Sequence, residues 1–286
     1  MRVSFATSAA AAAAAALVLT SCSPSQSEDE EEGGGNGGDE TVTVGIKYDQ
    51  PGLGFREGEN EPTGFDVDVA KAVLSEMGYE EDQIEWAEAE TPQRENLLEN
   101  GQIDMIFATY SITDERAERV DFAGPYFVAG QDILVREDET DIEEPEDLNG
   151  KNLCSVTGST PAQNIQDTYA DDVELVEQNG YAECVTYLDS GQVDAVTTDD
   201  VILAGLAATD ENAGKFRVVG NPFSEERYGV GLPPDSADTC EEVNDAIQTL
   251  LDDGTIDELL AENTDGVDYE ANEELNSDIE LEDCGS

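Results

Sequence analysis

The stretch Leu98-Glu99-Asn100-Gly101-Gln102-Ile103-Asp104-Met105-Ile106 returns later in the chain as Leu188-Asp189-Ser190-Gly191-Gln192-Val193-Asp194-Ala195-Val196. Each reads as a helix end, a glycine cap and then a buried strand, because glycine accepts the left-handed conformation that closes a helix. In both cases a polar segment and a new helix follow. A single helix-to-strand corner recurs by chance in many folds. A corner repeated with its surroundings predicts two lobes of similar topology, each presenting strand ends and helix starts to a shared cleft.

The rest of the chain fits that reading. Thr41-Val42-Thr43-Val44-Gly45-Ile46 alternates as a strand does. Phe65, Val69, Val73, Leu74 and Met77 are spaced for a helix over 65–77, and Gly78 is a natural stop. Strands and helices then alternate to Val219, which predicts an α/β fold, including a strand over 103–110. The chain is expected to pass into the second lobe within 126–136 and to return within 218–223. Lobe 1 is therefore 41–130 plus 222–286, with a helix at 237–252, and lobe 2 is 131–221.

The first 21 residues read as a signal peptide: Arg2, then an alanine-rich apolar stretch too short to span a membrane. Leu19-Thr20-Ser21-Cys22 resembles a bacterial lipobox, which makes Cys22 the lipidated residue; ordinary cleavage leaving a free Cys22 is the plainer alternative. Residues 23–40 hold a run of acids and a run of glycines, a composition that makes a tether rather than a fold.

Charge excludes whole classes of function. The 286 residues contain 12 basic and 69 acidic side chains and no histidine, for a formal charge of −57. Phosphate backbones and anionic membrane patches need clustered Lys and Arg, so no nucleic-acid partner is expected. Imidazole bases, Ser-His-Asp triads and His-ligated metals are excluded. Such acidity predicts a protein suited to high salt. Cys154, Cys184, Cys240 and Cys284 form an even set, which in an exported chain implies disulfides with three possible pairings. No CxxC spacing supports a metal site.

In so acidic a chain, cations at element ends stand out. Lys47 ends the first strand, Arg94 opens the helix before Gly101, and Arg116 follows Ser111-Ile112-Thr113. Surface ion pairs are the bland account of any one of them. Backbone N–H groups at a helix start beside a guanidinium form an anion site, and Thr157-Gly158-Ser159-Thr160-Pro161 offers a second such start in lobe 2. Asp199 ends the strand Ala195-Val196-Thr197-Thr198 and can face an ammonium, with Asp200 as its competitor.

The segments IFATYSITDERAERVDFAGPYF (106–127), TGSTPAQNI (157–165) and DAVTTDD (194–200) resemble the extracellular solute-binding proteins for polar amino acids. VGIKYDQPG (44–52), with the lipobox, resembles the glutamate-binding lipoproteins of actinobacterial ABC importers. The resemblance spans about 41–261. It implies a periplasmic-binding-protein-like fold: two α/β lobes, a two-strand hinge and a ligand cleft. It also implies roles. Arg116, with Ser111 and the Ser159/Thr160 turn, would hold the ligand α-carboxylate. Asp199 and the Thr109 carbonyl would hold the ammonium. Lys47 and Arg94, with Thr91 nearby, would meet a side-chain carboxylate, so glutamate or aspartate is expected. No aromatic lid is evident. The implied protein is a monomer on the outer face of the membrane that delivers its amino acid to an ABC permease, without cofactor, metal or catalysis. A dehydratase-like enzyme on the same fold and a sensory ligand-binding protein are the rivals.

Overall fold

The computed structural model describes residues 41–169 and 172–284. The expected signal peptide, Cys22 and the tether lie outside them. Two five-stranded sheets organise the described chain. In the first, β1 (Val42–Ile46) lies parallel between β4 (Ile84–Glu88) and β5 (Met105–Ile106). A short hairpin of β2 (Asp49–Gln50) and β3 (Gly54–Phe55) and the helix α1 (Phe65–Glu76) connect β1 to β4, and α2 (Arg94–Glu99) leads into β5. Two antiparallel strands, β12 (Glu226–Leu232) and β6 (Asp121–Ala129), complete the order β4-β1-β5-β12-β6.

The second sheet repeats the plan. β8 (Asn152–Val156) lies parallel between β9 (Glu174–Gln178) and β10 (Ala195–Asp199). β7 (Gln131–Arg136) and β11 (Phe216–Val218) follow in antiparallel pairings, giving the order β11-β7-β10-β8-β9. The helices are α4 (Thr160–Asn164), α5 (Tyr181–Asp189) and α6 (Asp200–Ala208). The repeated stretches end α2 and α5 and begin β5 and β10, the central strands of the two sheets. Gly101 and Gly191 take the left-handed cap at φ 62° and 74°. The aspartate after each cap has one local task. Asp104 accepts the Thr43 N–H at 2.8 Å and donates its own N–H to the Thr43 carbonyl; Asp194 does the same with Asn152, also at 2.8 Å.

One expected strand is shorter than predicted. Instead of 103–110, β5 covers only Met105–Ile106; Thr109 turns left-handed at φ 45° and interrupts the strand, and pairing with β12 resumes as a single bridge from Ser111 to Tyr228. The left-handed conformation is costly for a β-branched residue and persists only where its surroundings enforce it.

Gly130 alone separates β6 of the first sheet from β7 of the second, and the chain returns between β11 and β12. Gly130 is fixed to the start of α6: its carbonyl accepts the Asp200 N–H at 2.7 Å, and its N–H donates to the Asp200 carboxylate at 3.3 Å. After β12, the amphipathic α7 (Ala237–Asp252) buries Val243, Ile247 and Leu250 against the first sheet, and α8 (Thr255–Asn263) packs beside it and α1. The disulfides are sequential, Cys154–Cys184 and Cys240–Cys284. The second draws the chain end back along β6, where the Asn276 side chain accepts the Val128 N–H and donates to its carbonyl, both at 2.9 Å. An edge strand is thereby covered rather than left open to another chain.

Candidate functional site

A cavity of about 280 Å3, counting its mouth, lies between the two sheets. From the first sheet's side Thr91, Arg94, Thr109, Ser111 and Arg116 reach it; from the second's, Ser159, Thr160 and Asp199. Lys47 is the one expected binding residue that does not line it. Its ammonium is buried and pairs with Asp49 Oδ1 at 3.1 Å. Asp49 in turn accepts the Tyr181 N–H from the other lobe at 3.1 Å, so Lys47 anchors a contact that closes the cleft.

Arg116 sits in α3 (Asp114–Ala117), capped by Thr113, whose hydroxyl accepts the Arg116 N–H. Its guanidinium donates to the Ser111 carbonyl at 2.7 Å and, across the cleft, to the Gly158 carbonyl at 3.2 Å. Its Nε lies 3.7 Å from Glu95. The guanidinium is thus aimed by its own wall and completed by the other. Arg94, 3% exposed at the start of α2, is differently placed. Its Nε is buried with no hydrogen bond, and among the described residues no carboxylate lies within 4.0 Å of it. Burial first, then the neighbouring charge of Arg116, lower its pKa. A buried cation left without an anion is a standing electrostatic demand on whatever fills the cavity.

The opposite pole is Asp199, the N-cap residue of α6. Its Oδ2 accepts the Tyr228 hydroxyl at 2.5 Å, and its buried Oδ1 has no partner. Burial and then the Glu226 carboxylate hold its pKa well above the usual carboxylate range. Glu226 is itself tied across the cleft by the Thr160 hydroxyl at 3.0 Å. The left-handed turn at Thr109 is held by Asp66, which accepts the Thr109 N–H at 2.9 Å and the Tyr126 hydroxyl at 2.7 Å. Asp66 therefore fixes the direction of the Thr109 carbonyl.

Sequence reasoning missed Tyr181, Gln50 and Thr198, all of which line the cavity. Tyr181 was reachable from the repeat. Ten residues before Gly101 stands Thr91, and ten before Gly191 stands Tyr181. Both head the helical segment before the repeated corner, and both face the cavity. Tyr181 is 4% exposed and its phenol is pushed up to about 12 by burial and by Asp199. Among the described residues no cluster suited to a metal ion is present, nor any helix long and apolar enough to cross a membrane.

Two α/β lobes closed on a polar cavity, cationic on one wall and acidic on the other, define a solute-binding protein. The chain belongs to the bacterial extracellular solute-binding proteins, family 3, matching over residues 42–265. It is 47% identical over 233 residues to the glutamate-binding protein GluB of Corynebacterium glutamicum, covering 78% of each chain. It is 36% identical over 223 residues to the ABC transporter glutamine-binding protein GlnH of Bacillus subtilis, covering 77% of this chain and 80% of that one. Among solved structures, an ancestral arginine-binding protein bound to arginine superposes with a TM-score of 0.71 at 33% identity, covering 78% of this chain and 96% of that one. The ancestral amino acid-binding protein AncCDT-1, a precursor of cyclohexadienyl dehydratase, gives 0.69 at 29% identity, covering 78% and 93%. These named relatives are binding proteins.

Proposed function

We propose that this chain captures an acidic amino acid, glutamate foremost, for an ABC importer and performs no chemistry on it. The observation that carries the reading is Arg94: a buried guanidinium that no carboxylate among the described residues pairs, lining the same cavity as the Arg116 guanidinium. Two cations on one wall suit a ligand with two carboxylates. Arg116, Ser111 and the Ser159/Thr160 turn take the α-carboxylate, Asp199 and the Thr109 carbonyl the ammonium, and Arg94 with Thr91 the side-chain carboxylate. Lys47, paired with Asp49, stays outside the ligand contacts. Neither wall satisfies the ligand alone, so the ligand shifts the equilibrium toward the closed form by its greater affinity for it.

The lobes on this reading are 41–130 plus 222–286 and 131–221, hinged at Gly130 and at the return into β12. Residues 1–21 direct export. Cys22 carries the lipid that anchors the protein to the outer face of the membrane, 23–40 tether the body, and a monomer docks on its permease. Calorimetric titration of the lipid-free body with glutamate, aspartate, glutamine and arginine tests the reading. Glutamate binds most tightly and is recovered unchanged. Tighter binding of glutamine or arginine rejects the acidic ligand, and turnover of any of the four brings back the dehydratase-like alternative.

A further inference from the structure

We infer that Tyr110, which does not itself line the cavity, is the positioning residue that lets two arginines share one small site, and that it thereby sets the preference for a dicarboxylic amino acid over its amide. The inference rests on the acidic-ligand reading above.

The Arg94 and Arg116 guanidinium carbons lie 4.9 and 5.0 Å from the centroid of the same Tyr110 ring. Both cations are buried, and each is the other's unfavourable neighbour. Like charges held together out of water turn away from one another unless something between them is attractive. A ring face supplies that attraction through its quadrupole. Unlike a carboxylate, it takes up no N–H donor, so the guanidinium edges stay available to a ligand.

The ring is fixed on every side. It is wholly buried, and its centroid is 4.8 Å from that of Phe122. It passes over Gly231 on β12, where a Cβ would come within 2.6 Å of the ring carbon Cε1. Its hydroxyl donates to Glu95 Oε1 at 2.7 Å, and burial keeps the phenol protonated by raising its pKa. Glu95 therefore divides its work unequally. It steadies the ring and approaches Arg116, yet lies outside ion-pair distance of Arg94. Arg116 therefore has a carboxylate at ion-pair distance, while Arg94 has none among the described residues. A ring that merely filled the core would affect all ligands alike; a ring that orders Arg94 affects the anionic side chain most.

The test is calorimetric titration of glutamate and glutamine into the wild type, Tyr110→Phe, Tyr110→Leu and Gly231→Ala. Tyr110→Phe keeps the ring face and holds the glutamate-to-glutamine preference within about threefold of wild type. Tyr110→Leu lowers that preference about tenfold, mostly by raising the glutamate dissociation constant. Gly231→Ala displaces the ring without touching the cavity and lowers the preference in the same direction. If Tyr110→Leu does not fold, Gly231→Ala decides on the same ratio. An unchanged ratio in the folded variants, or equal loss for both ligands, overturns the inference. A wild type that binds glutamine as tightly as glutamate rejects the acidic-ligand reading itself, and the inference with it.

Discussion

Tyr228 and Asp199 stand on strands of different sheets and share a 2.5 Å hydrogen bond, the phenol donating to Asp199 Oδ2 while the buried Oδ1 remains open toward the cavity. This bond is one of the few effects that stabilise the ionised carboxylate, against burial and the nearby Glu226 and Asp200. In Tyr228→Phe the carboxylate holds its proton to higher pH, and a ligand ammonium must displace it. Loss of one charge-assisted bond costs about 2 kcal/mol, so glutamate binds about thirtyfold more weakly. Because the ligand needs the ionised form, affinity in the variant also rises more steeply from a mildly acidic to a mildly alkaline pH. Titrations at both values measure the slope; equal slopes and equal affinities would remove Tyr228 from the site.

Arg116 is held at the Ser111 and Gly158 carbonyls by different N–H groups, and so depends on its fork shape. Arg116→Ala leaves a ligand carboxylate unpaired in a closed cleft and weakens binding by about 2–5 kcal/mol. Arg116→Lys recovers little of this, since an ammonium cannot reproduce the planar fork. Equilibrium titration of both variants checks the pair, and wild-type affinity in Arg116→Ala is the disproving result.

The legibility of the fold and of the site differ for a physical reason. Glycine caps and period-two or period-3.6 apolar spacing are local, so the repeated corner around Gly101 and Gly191 announced two like sheets before any contact was known. Arg116, Ser111, Asp199 and the Ser159/Thr160 turn were legible because they occupy element ends, which such a fold turns toward its cleft. Lys47 shares that address but not that fate, because its partner Asp49 is two residues away and captures it. That competition is a matter of side-chain direction, which spacing does not encode. The left-handed turn at Thr109 was hidden for a related reason: its cause, Asp66, lies 43 residues away on α1.

Asp66 makes stability depend on pH. Buried beside Tyr126 and Thr109, it titrates near 6 in the folded chain against 3.8 for an ordinary aspartate. The folded state therefore binds more protons than the unfolded one between about pH 4 and 6, and stability is lost as pH rises through that window. The contribution is on the order of 2–3 kcal/mol. Ligand-free protein should melt at lower temperature at about pH 7.5 than at about pH 5, and Asp66→Asn should flatten part of that difference. Parallel melting curves for wild type and variant across the window would refute the assignment.

The Cys240–Cys284 bridge closes a loop over a sequence separation of 44 and fixes a C-terminal segment that continues beyond the family match ending at 265. Cross-linking a loop of that size is worth about 4 kcal/mol in the chain-entropy model. The segment crosses β6 away from the cavity, so Cys284→Ser should lower the melting temperature by several degrees while changing the glutamate dissociation constant less than about twofold. Calorimetry of melting and of binding separates the two effects. A large loss of affinity at unchanged stability would place the segment in the binding mechanism instead.

Net charge sets the last expectation. The chain carries −57 formal charges, yet its cavity is built around Arg94 and Arg116 and its proposed ligand is an anion. Self-repulsion opposes the compact state, and the outer field opposes the ligand's approach. Both act over long distances, and the Debye length falls from about 30 Å at 0.01 M salt to about 3 Å at 1 M. The contacts of Arg116 with Ser111, and of Asp199 with Tyr228, are short and buried, and are screened far less. Molar potassium chloride should therefore raise both the melting temperature and the glutamate association rate, while leaving the dissociation rate nearly constant. A body lacking residues 1–40 isolates the folded domain from the acidic tether. If that body melts at one temperature in about 0.05 M and about 2 M potassium chloride, and its association rate does not rise, the acidity serves solubility alone.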